Sequence, residues 1–470
     1  MDNVHGKIAL TELQYEIINT SVFKRLKGVQ QLGCVHEVFP SAEHSRFSHS
    51  LGTLHVARKW CQALGVEATT RELVEVAALC HDLGHGPLSH LWEGFVKEAR
   101  PGCGWQHEES SYRMLELAME ERPGIRIQEQ DLLFIRELIC GGDKTKIKAG
   151  LYPYTETEGR NRKHFYLYEI VSNKITGIDV DKFDYLARDD RALFHKSQIR
   201  FDYLRLSDSE QLLKVVEGPL YKDMEDGPLV RRIAVRDKEV RSIHKIFQDR
   251  SELHRTAYQH KTVLVFDRMY VDVLLLASPY IRVLGRETKE FSLAEACDDE
   301  VALSRLTDDW VLQSVRNSVA EELGPARDLL RRIDQRKIYT TVAHLRIVDD
   351  GSLNLATAEH SAQILKDRMK RISEKDLVVI SLDINMGSRD KSNPVEKMLF
   401  YRKGSEEGYF MGQEELRTNV SLQTYDRQLF VLSRLELDDS EDGRRKEEDL
   451  EQAAKAGVAE VLKDCPEWTL

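Results

Sequence analysis

The sequence predicts a mainly α-helical protein with a smaller α+β lobe at its C-terminal end. Three observations carry that expectation. Apolar residues recur at helical spacing on both sides of residues 79–90, Leu-Cys-His-Asp-Leu-Gly-His-Gly-Pro-Leu-Ser-His. An acidic segment, 177–189, sets Asp181, Tyr185 and Asp189 at i, i+4 and i+8, on one helical face. From about residue 341 the pattern changes to short β-like runs separated by turn residues.

The elements follow in order. Residues 43–52 open a helix whose Leu51, Leu54, Trp60, Cys61 and Leu64 fall near core spacing. The next helix is capped by Thr70, has Glu72 and Glu75 in its first turns, and carries Leu73, Val76, Ala77 and Cys80 as its apolar stripe. Gly84 and Gly86-Pro87 stop it. Residues 1–340 read as mostly helical, with linkers at 141–162 and 217–226. Residues 377–384, 398–402 and 429–437 read as strands. Residues 438–446 form a charged linker, and 447–462 a charged helix expected to sit in solvent. The expected division is a helical domain over 1–340, an α+β regulatory or oligomerisation lobe over 341–437, and a charged tail over 438–470.

Composition narrows the class. A chain of 470 residues can bury a large core and suggests two to three domains. Hydrophobic residues at 41% and charged ones at 31% fit a globular protein. No apolar run reaches bilayer length, and no signal-peptide pattern opens the chain, so no membrane partner is expected. Seven cysteines, odd in number and without CxxC pairs, argue for a reducing intracellular compartment, with nothing to choose between nucleus and cytoplasm. A net charge of −11 argues against nonspecific nucleic-acid binding by the whole surface but leaves room for local basic pockets.

The chemistry concentrates at His81-Asp82. Three histidines and an aspartate within ten residues suit a metal site that handles phosphate, and such ligands accept Zn, Fe, Mn or Mg. Adjacent helical residues point about 100° apart, yet at a helix end both can converge on one ion. Two ligands from one segment do not close a site, so the segments around 43–52 and 177–189 are where the others are sought. His36, His44, His164, His195 and His360 receive no functional role.

His49, His81-Asp82 and Asp181 together resemble the H…HD…D pattern of the HD-domain phosphohydrolases, all-helical metal-dependent enzymes. The likeness extends in order, with similar spacing, through Val4-His5-Gly6, residues 30–33, 46–52, 79–90, 177–189, 253–261 and 393–403. Over about 2–435 the chain resembles the animal family of SAM-and-HD-domain dNTP triphosphohydrolases. The bare HD pair is a weak signal; the colinear series is specific. Because the resemblance begins almost at Met1, a chain without the sterile-alpha-motif domain is expected.

The resemblance implies hydrolysis of dNTPs to deoxynucleoside and inorganic triphosphate. It implies one divalent transition metal (Zn, Fe or Mn) on His49, His81, Asp82 and Asp181, with Mg on the nucleotide. His85, His90, His107 and Glu93 correspond to the acid/base group; Glu93 replaces an aspartate, one methylene further out. Arg46 corresponds to an α-phosphate contact, Lys182 to one on the phosphate tail, and Arg250 and Tyr258 to outer phosphate and sugar contacts. Gln31, Leu32, Tyr185, Asp189, His254 and Gln259 correspond to the set that selects deoxyribose, and the base is read loosely, so all four dNTPs are expected substrates.

The family's tetramer is assembled by nucleotides bound between subunits, which implies a homo-oligomer here, dimer or tetramer, promoted by dNTPs and GTP. The dNTP pocket matches at Val38, Phe39, Arg205, Arg236, Lys238 and Lys261. In the guanine pocket Asn19 replaces an aspartate, Lys24 a glutamine and Lys27 an arginine, while Arg336 and Lys403 are kept. An asparagine amide cannot accept two guanine N–H groups as a carboxylate does, so selectivity for GTP is expected to relax.

Two other functions share some of these features. One is an HD phosphohydrolase for a nucleoside monophosphate, a cyclic nucleotide or a guanosine polyphosphate; the sugar-reading set argues against it. The other is a catalytically weak nucleotide-gated assembly that binds single-stranded nucleic acid weakly; the intact ligand set argues against that.

Overall fold

In a computed structural model, the described residues are 1–141, 162–194, 212–222, 229–349, 355–373, 375–384, 393–412, 414–416, 425–435, 441–464 and 468. Arg205, His195 and most of the expected linker at 141–162 lie outside them. The protein is mainly helical, with a smaller strand-containing C-terminal region.

Helix α1 (Glu12–Ile18) starts with a reciprocal cap, the Thr11 hydroxyl accepting from Gln14 N and the Gln14 side chain from Thr11 N. Helix α2 (Arg46–Ala63) packs on α3 (Ala68–Cys80). The start of α3 differs from the sequence expectation. Its cap is Glu67, not Thr70, and the Glu67 carboxylate accepts from Thr69 N at 3.1 Å and Thr70 N at 3.2 Å. A carboxylate also answers the positive end of the helix dipole, which a hydroxyl cannot. Leu73, Val76, Ala77 and Cys80 are buried, as their spacing predicts. Glu75 is buried too, held by Gln14 and Arg58, each at 2.7 Å.

Helices α4 (His90–Ala99), α5 (His107–Glu121), α6 (Glu129–Cys140) and α7 (Val180–Phe194) complete the first part of the body. Trp60 of α2 meets Phe183 of α7 edge-to-face at 5.2 Å, both rings buried, and this pair fixes α7 beside α2.

Strands β1 (Leu213–Gly218) and β2 (Val230–Arg236) then interrupt the region that the sequence reads as helical. Residues 217 and 218, assigned to a linker, belong to β1. Arg232 explains the position of β2. Its buried guanidinium donates to Glu169 at 2.7 Å and to the Leu220 carbonyl at 2.8 Å, while Glu169 also accepts from Ile233 N. Removing either charge would leave the other buried and unpaired, at a cost of about 3–5 kcal/mol.

Helix α8 (Val240–Leu253) runs into one π-helical turn, His254–Tyr258, before α9 (Lys261–Ala277). A short hairpin, β3 (Arg282–Leu284) with β4 (Glu290–Ser292), and helices α10 (Asp308–Arg316) and α11 (Gly324–Asp334) follow.

In the C-terminal region β5 (Thr340–Asp349), β6 (Leu377–Ile384) and β8 (Tyr425–Ser433) form an antiparallel sheet in the order β5-β8-β6. Strand β6 matches its expected span, and β8 starts four residues before its own. The short β7 (Leu399–Tyr401) leaves this sheet and pairs in parallel with β2 of the helical body. Helices α12 (Leu355–Ser373) and α13 (Glu441–Asp464) pack on each other, and α13 against β5. The solvated tail expected after 446 is therefore corrected. Ala454 and Val458, one turn apart, are buried in the lobe's own apolar cluster with Leu365 and Met369. Two small apolar residues are a faint signal inside so charged a helix. Among the described residues, no helix is long and apolar enough to cross a membrane.

Candidate active site

Three helices deliver ligands to one point. His49 lies in the first turn of α2, His81 caps the end of α3 with Asp82 next to it, and Asp181 sits in the first turn of α7. His49 Nε2 is 3.0 Å from Asp181 Oδ1, 3.5 Å from Asp82 Oδ2 and 3.3 Å from His81 Nε2. His81 Nε2 is 3.4 Å from Asp82 and 3.5 Å from Asp181.

The outer nitrogens settle which lone pairs face inward. His81 Nδ1 lies 2.9 Å from the Ala78 carbonyl, which can only accept, so Nε2 is left for a ligand. His49 Nδ1 lies 2.7 Å from the buried carboxylate of Asp184. Imidazole nitrogens and carboxylate oxygens, so oriented, fit a divalent cation. Burial works against a charged His49, yet Asp181, Asp184 and Asp82 together outweigh it and raise its pKa to about 10. The anionic field that keeps a proton there is the field that attracts a cation.

Asp184 was not singled out from the sequence, although it lies in the acidic run. It also meets His5 at 2.6 Å and Arg188 at 2.9 Å. Gly52 makes room for it, because a Cβ there would stand 1.8 Å from Asp184 Oδ1. Gly52→Ala is therefore expected to cost about 1–3 kcal/mol and to weaken metal affinity with it. Urea unfolding and metal titration of the variant check this; wild-type values in both would contradict the packing described.

The loop after Asp82 is held from beneath by residues outside the expected set. Buried Arg25 donates to the carbonyls of Leu83 (2.6 Å), His85 (2.8 Å) and Leu306 (3.0 Å). Asp308 accepts from Leu88 N at 2.7 Å and Gln30 N at 2.9 Å. Leu88 and Ser89 both adopt φ of 59°, a strained conformation for side chains with a Cβ, and Asp308 helps to hold it. The chain so bent starts α4 with His90 facing the cleft.

His85, His90, His107 and Glu93 are brought together. The rings of His85 and His107 stack at 3.9 Å, and His90 stands 5.0 Å from His85. Glu93 Oε1 lies 2.6 Å from His107 Nδ1 and 3.4 Å from His90 Nδ1, so its extra methylene does not break either contact. Burial raises the Glu93 pKa, but both histidines outweigh it and hold the carboxyl well below its usual range. His85 is kept neutral by burial first, then by Arg46 and His107.

A cleft of about 550 Å³ opens over these groups. Arg46 lines it, but here binds Asp82 and donates to Ser89 Oγ at 2.8 Å. Lys182, Arg250 and His254 line the cleft too, and Lys182 is held charged by Asp179 and its neighbours in spite of burial. At another wall Asp189 takes a hydrogen bond from Tyr258 at 2.5 Å and meets His44 Nε2 at 2.7 Å. His44, given no functional role from the sequence, is thus the residue against which Asp189 rests. The π turn rotates Tyr258 toward Asp189, a device with no local signature in the sequence. Gln31, Leu32 and Tyr185 line the cleft as well; Gln259 ends the π turn and is not among the lining residues. The side-chain carbonyl of Gln31 and His85 Nδ1, both in the cleft lining, are buried without a hydrogen-bond partner among the described residues, which fits a polar ligand.

The expected regulatory residues that are described do not line the cleft. Asn19 ends α1, its amide donating to the Tyr15 carbonyl at 3.0 Å, and Lys24 donates to the Asn19 carbonyl at 3.0 Å. Lys27 sits 4.8 Å over the Phe47 ring. Arg336 donates to the Glu37 carbonyl at 3.0 Å, beside Val38 and Phe39, and the Phe39 ring meets that of His260, next to Lys261, at 6.1 Å. Arg236 lies 5.7 Å over the Tyr401 ring, and Lys238 and Lys403 are exposed.

Residues 46–149 match the HD domain family model. The chain is similar to the deoxynucleoside triphosphate triphosphohydrolase SAMHD1 of Mus musculus and of Homo sapiens, 36% identical to each over 86% of its own length. It spans 63% of the mouse protein and 64% of the human one. It is 35% identical to the same protein of Bos taurus, over 86% of this chain and 69% of that one.

Proposed function

Because this chain belongs to the family of the deoxynucleoside triphosphate triphosphohydrolase SAMHD1, we propose that it hydrolyses dNTPs to deoxynucleoside and inorganic triphosphate. The observation that carries this reading is the convergence of His49, His81, Asp82 and Asp181 at a cleft lined by Lys182 and Arg250 and by Asp189 and Tyr258, with His44 bonded to Asp189. Those four residues would hold a divalent Zn, Fe or Mn ion, which would supply Lewis acidity at a phosphate oxygen and a lowered pKa for water.

The chain's own groups do the rest. Lys182 and Arg250 hold the phosphate tail and, with Arg46, place positive charge where negative charge develops. His90, its side chain 74% exposed at the cleft, donates a proton to the departing 5′-oxygen. Glu93 stays ionised and orients both His90 and His107. An HD site can serve another nucleotide, but Gln31, Tyr185, Asp189 and Tyr258, grouped at the cleft, favour a deoxyribose-bearing substrate. Incubation with each dNTP, with and without GTP, tests the proposal; free triphosphate from all four is expected, and orthophosphate or pyrophosphate alone would contradict it.

Regulation is part of the same proposal. A dNTP-promoted homo-oligomer is expected, built through Val38, Phe39, Arg236, Lys238 and Lys261. GTP is expected to give no guanine-specific stimulation, because the Asn19 amide already caps α1 and Lys24 and Lys27 offer only charge. Light scattering with GTP, ATP, dGTP and dATP checks this. Assembly with GTP and none with ATP would show that Asn19 reads guanine.

A further inference from the structure

A second cluster lies outside the cleft. Ligand atoms of Cys103, Cys297 and Asp298 all fall within 4.8 Å of one another. Cys103 is half-buried in the loop between α4 and α5, and Cys297 is buried in the 3-10 turn Ala296–Asp298. The loop is already docked there, since Arg100 bridges to Asp298 at 2.8 Å and donates to the Ala294 carbonyl at 3.2 Å.

We propose that Cys103 and Cys297 form a thiol-oxidation site, closed into a disulfide by small-molecule disulfides. The three ligands could suggest a metal instead, but the Arg100 guanidinium stands on Asp298 and 3.6 Å from Cys297 Sγ, where a cation would meet its repulsion. Cys297 donates to the Ala294 carbonyl at 3.2 Å, and burial, then Asp298, push its thiol up to about 12. Cys103, more exposed, is therefore the first nucleophile.

The steps balance. The Cys103 thiolate attacks one sulfur of the small disulfide, forming a mixed disulfide and releasing one thiolate. Cys297 then attacks Cys103 Sγ and releases the second thiolate. The protons of the two cysteines end on the two departing thiolates, so two protein thiols are oxidised as one disulfide is reduced. Gly102, at φ of 86° with nothing within 4 Å of a built Cβ, gives Cys103 the freedom to close the gap. The bond would tie down the loop between Glu93 and His107.

The test is independent of the proposed activity. The full chain is treated with oxidised glutathione, alkylated after denaturation and mapped by mass spectrometry without reduction. The expected result is joint loss of the Cys103 and Cys297 thiols and a linked Cys103–Cys297 peptide. Cys297→Ser should trap glutathione on Cys103, and Cys103→Ser should form no link at Cys297. Amide exchange over 100–106 should slow in oxidised wild type and not in Cys103→Ser. Both thiols remaining free would overturn the proposal, as would one zinc ion per chain that blocks alkylation of both cysteines in the folded protein.

Discussion

Replacing His81 by alanine is expected to abolish turnover, by roughly a thousandfold or more, and to empty the metal site. The basis is that His81 Nε2 faces Asp82 and Asp181 while its other nitrogen is tied to the Ala78 carbonyl. The residue sits at the end of α3, past the buried stripe, so the fold should survive. Asp82→Asn should be as inactive but less stable, because Arg46 is buried against Asp82 and would lose its counter-charge. Asp184→Asn supplies the contrast. It orients His49 without joining the convergence point, so a loss of about 10–100-fold in metal affinity is expected. Metal content and triphosphate release, measured together, check all three. Full activity in metal-free His81→Ala would remove the basis of the site.

A second large effect is expected in the sugar. Hydrolysis of dATP should exceed that of ATP by roughly a hundredfold or more, the size of a few kcal/mol in the transition state. The Asp189 carboxylate is fixed by His44 and Tyr258, and the half-buried Tyr185 ring lies one turn earlier on α7. On the proposed reading, a wall held this way would leave no room for a 2′-hydroxyl. Tyr185→Ala should narrow the ratio by lowering the rate on dATP less than it raises the rate on ATP. Equal rates on the two nucleotides in wild type would contradict this use of the wall.

The parts legible in the sequence were those with short period or dense chemistry. The α3 stripe, β6 and the acidic face of α7 each declare themselves within a few residues. The convergence of His49, His81, Asp82 and Asp181, and of His85, His90 and His107 with Glu93, was legible through resemblance, which supplied the long-range pairing that spacing alone left open. What stayed hidden depends on contacts distant in the chain. Asp184 reads as one more acid until Gly52 and His5 are seen against it. His44 reads as a loop histidine until α7 brings Asp189 to it, 145 positions later. The β2–β7 pairing joins segments with more than 160 residues between them, so no local alternation reveals it. The supports of the strained Leu88-Ser89 bend, Arg25 and Asp308, come from opposite ends of the helical body.

The most direct measurement is hydrolysis of a dNTP in water enriched in oxygen-18, with the label located in the products by mass spectrometry. Attack at the α-phosphorus with departure of the 5′-oxygen puts the label in inorganic triphosphate and leaves the deoxynucleoside unlabelled. Label in a deoxynucleoside monophosphate or in orthophosphate would mean that the cleft directs water to a different bond.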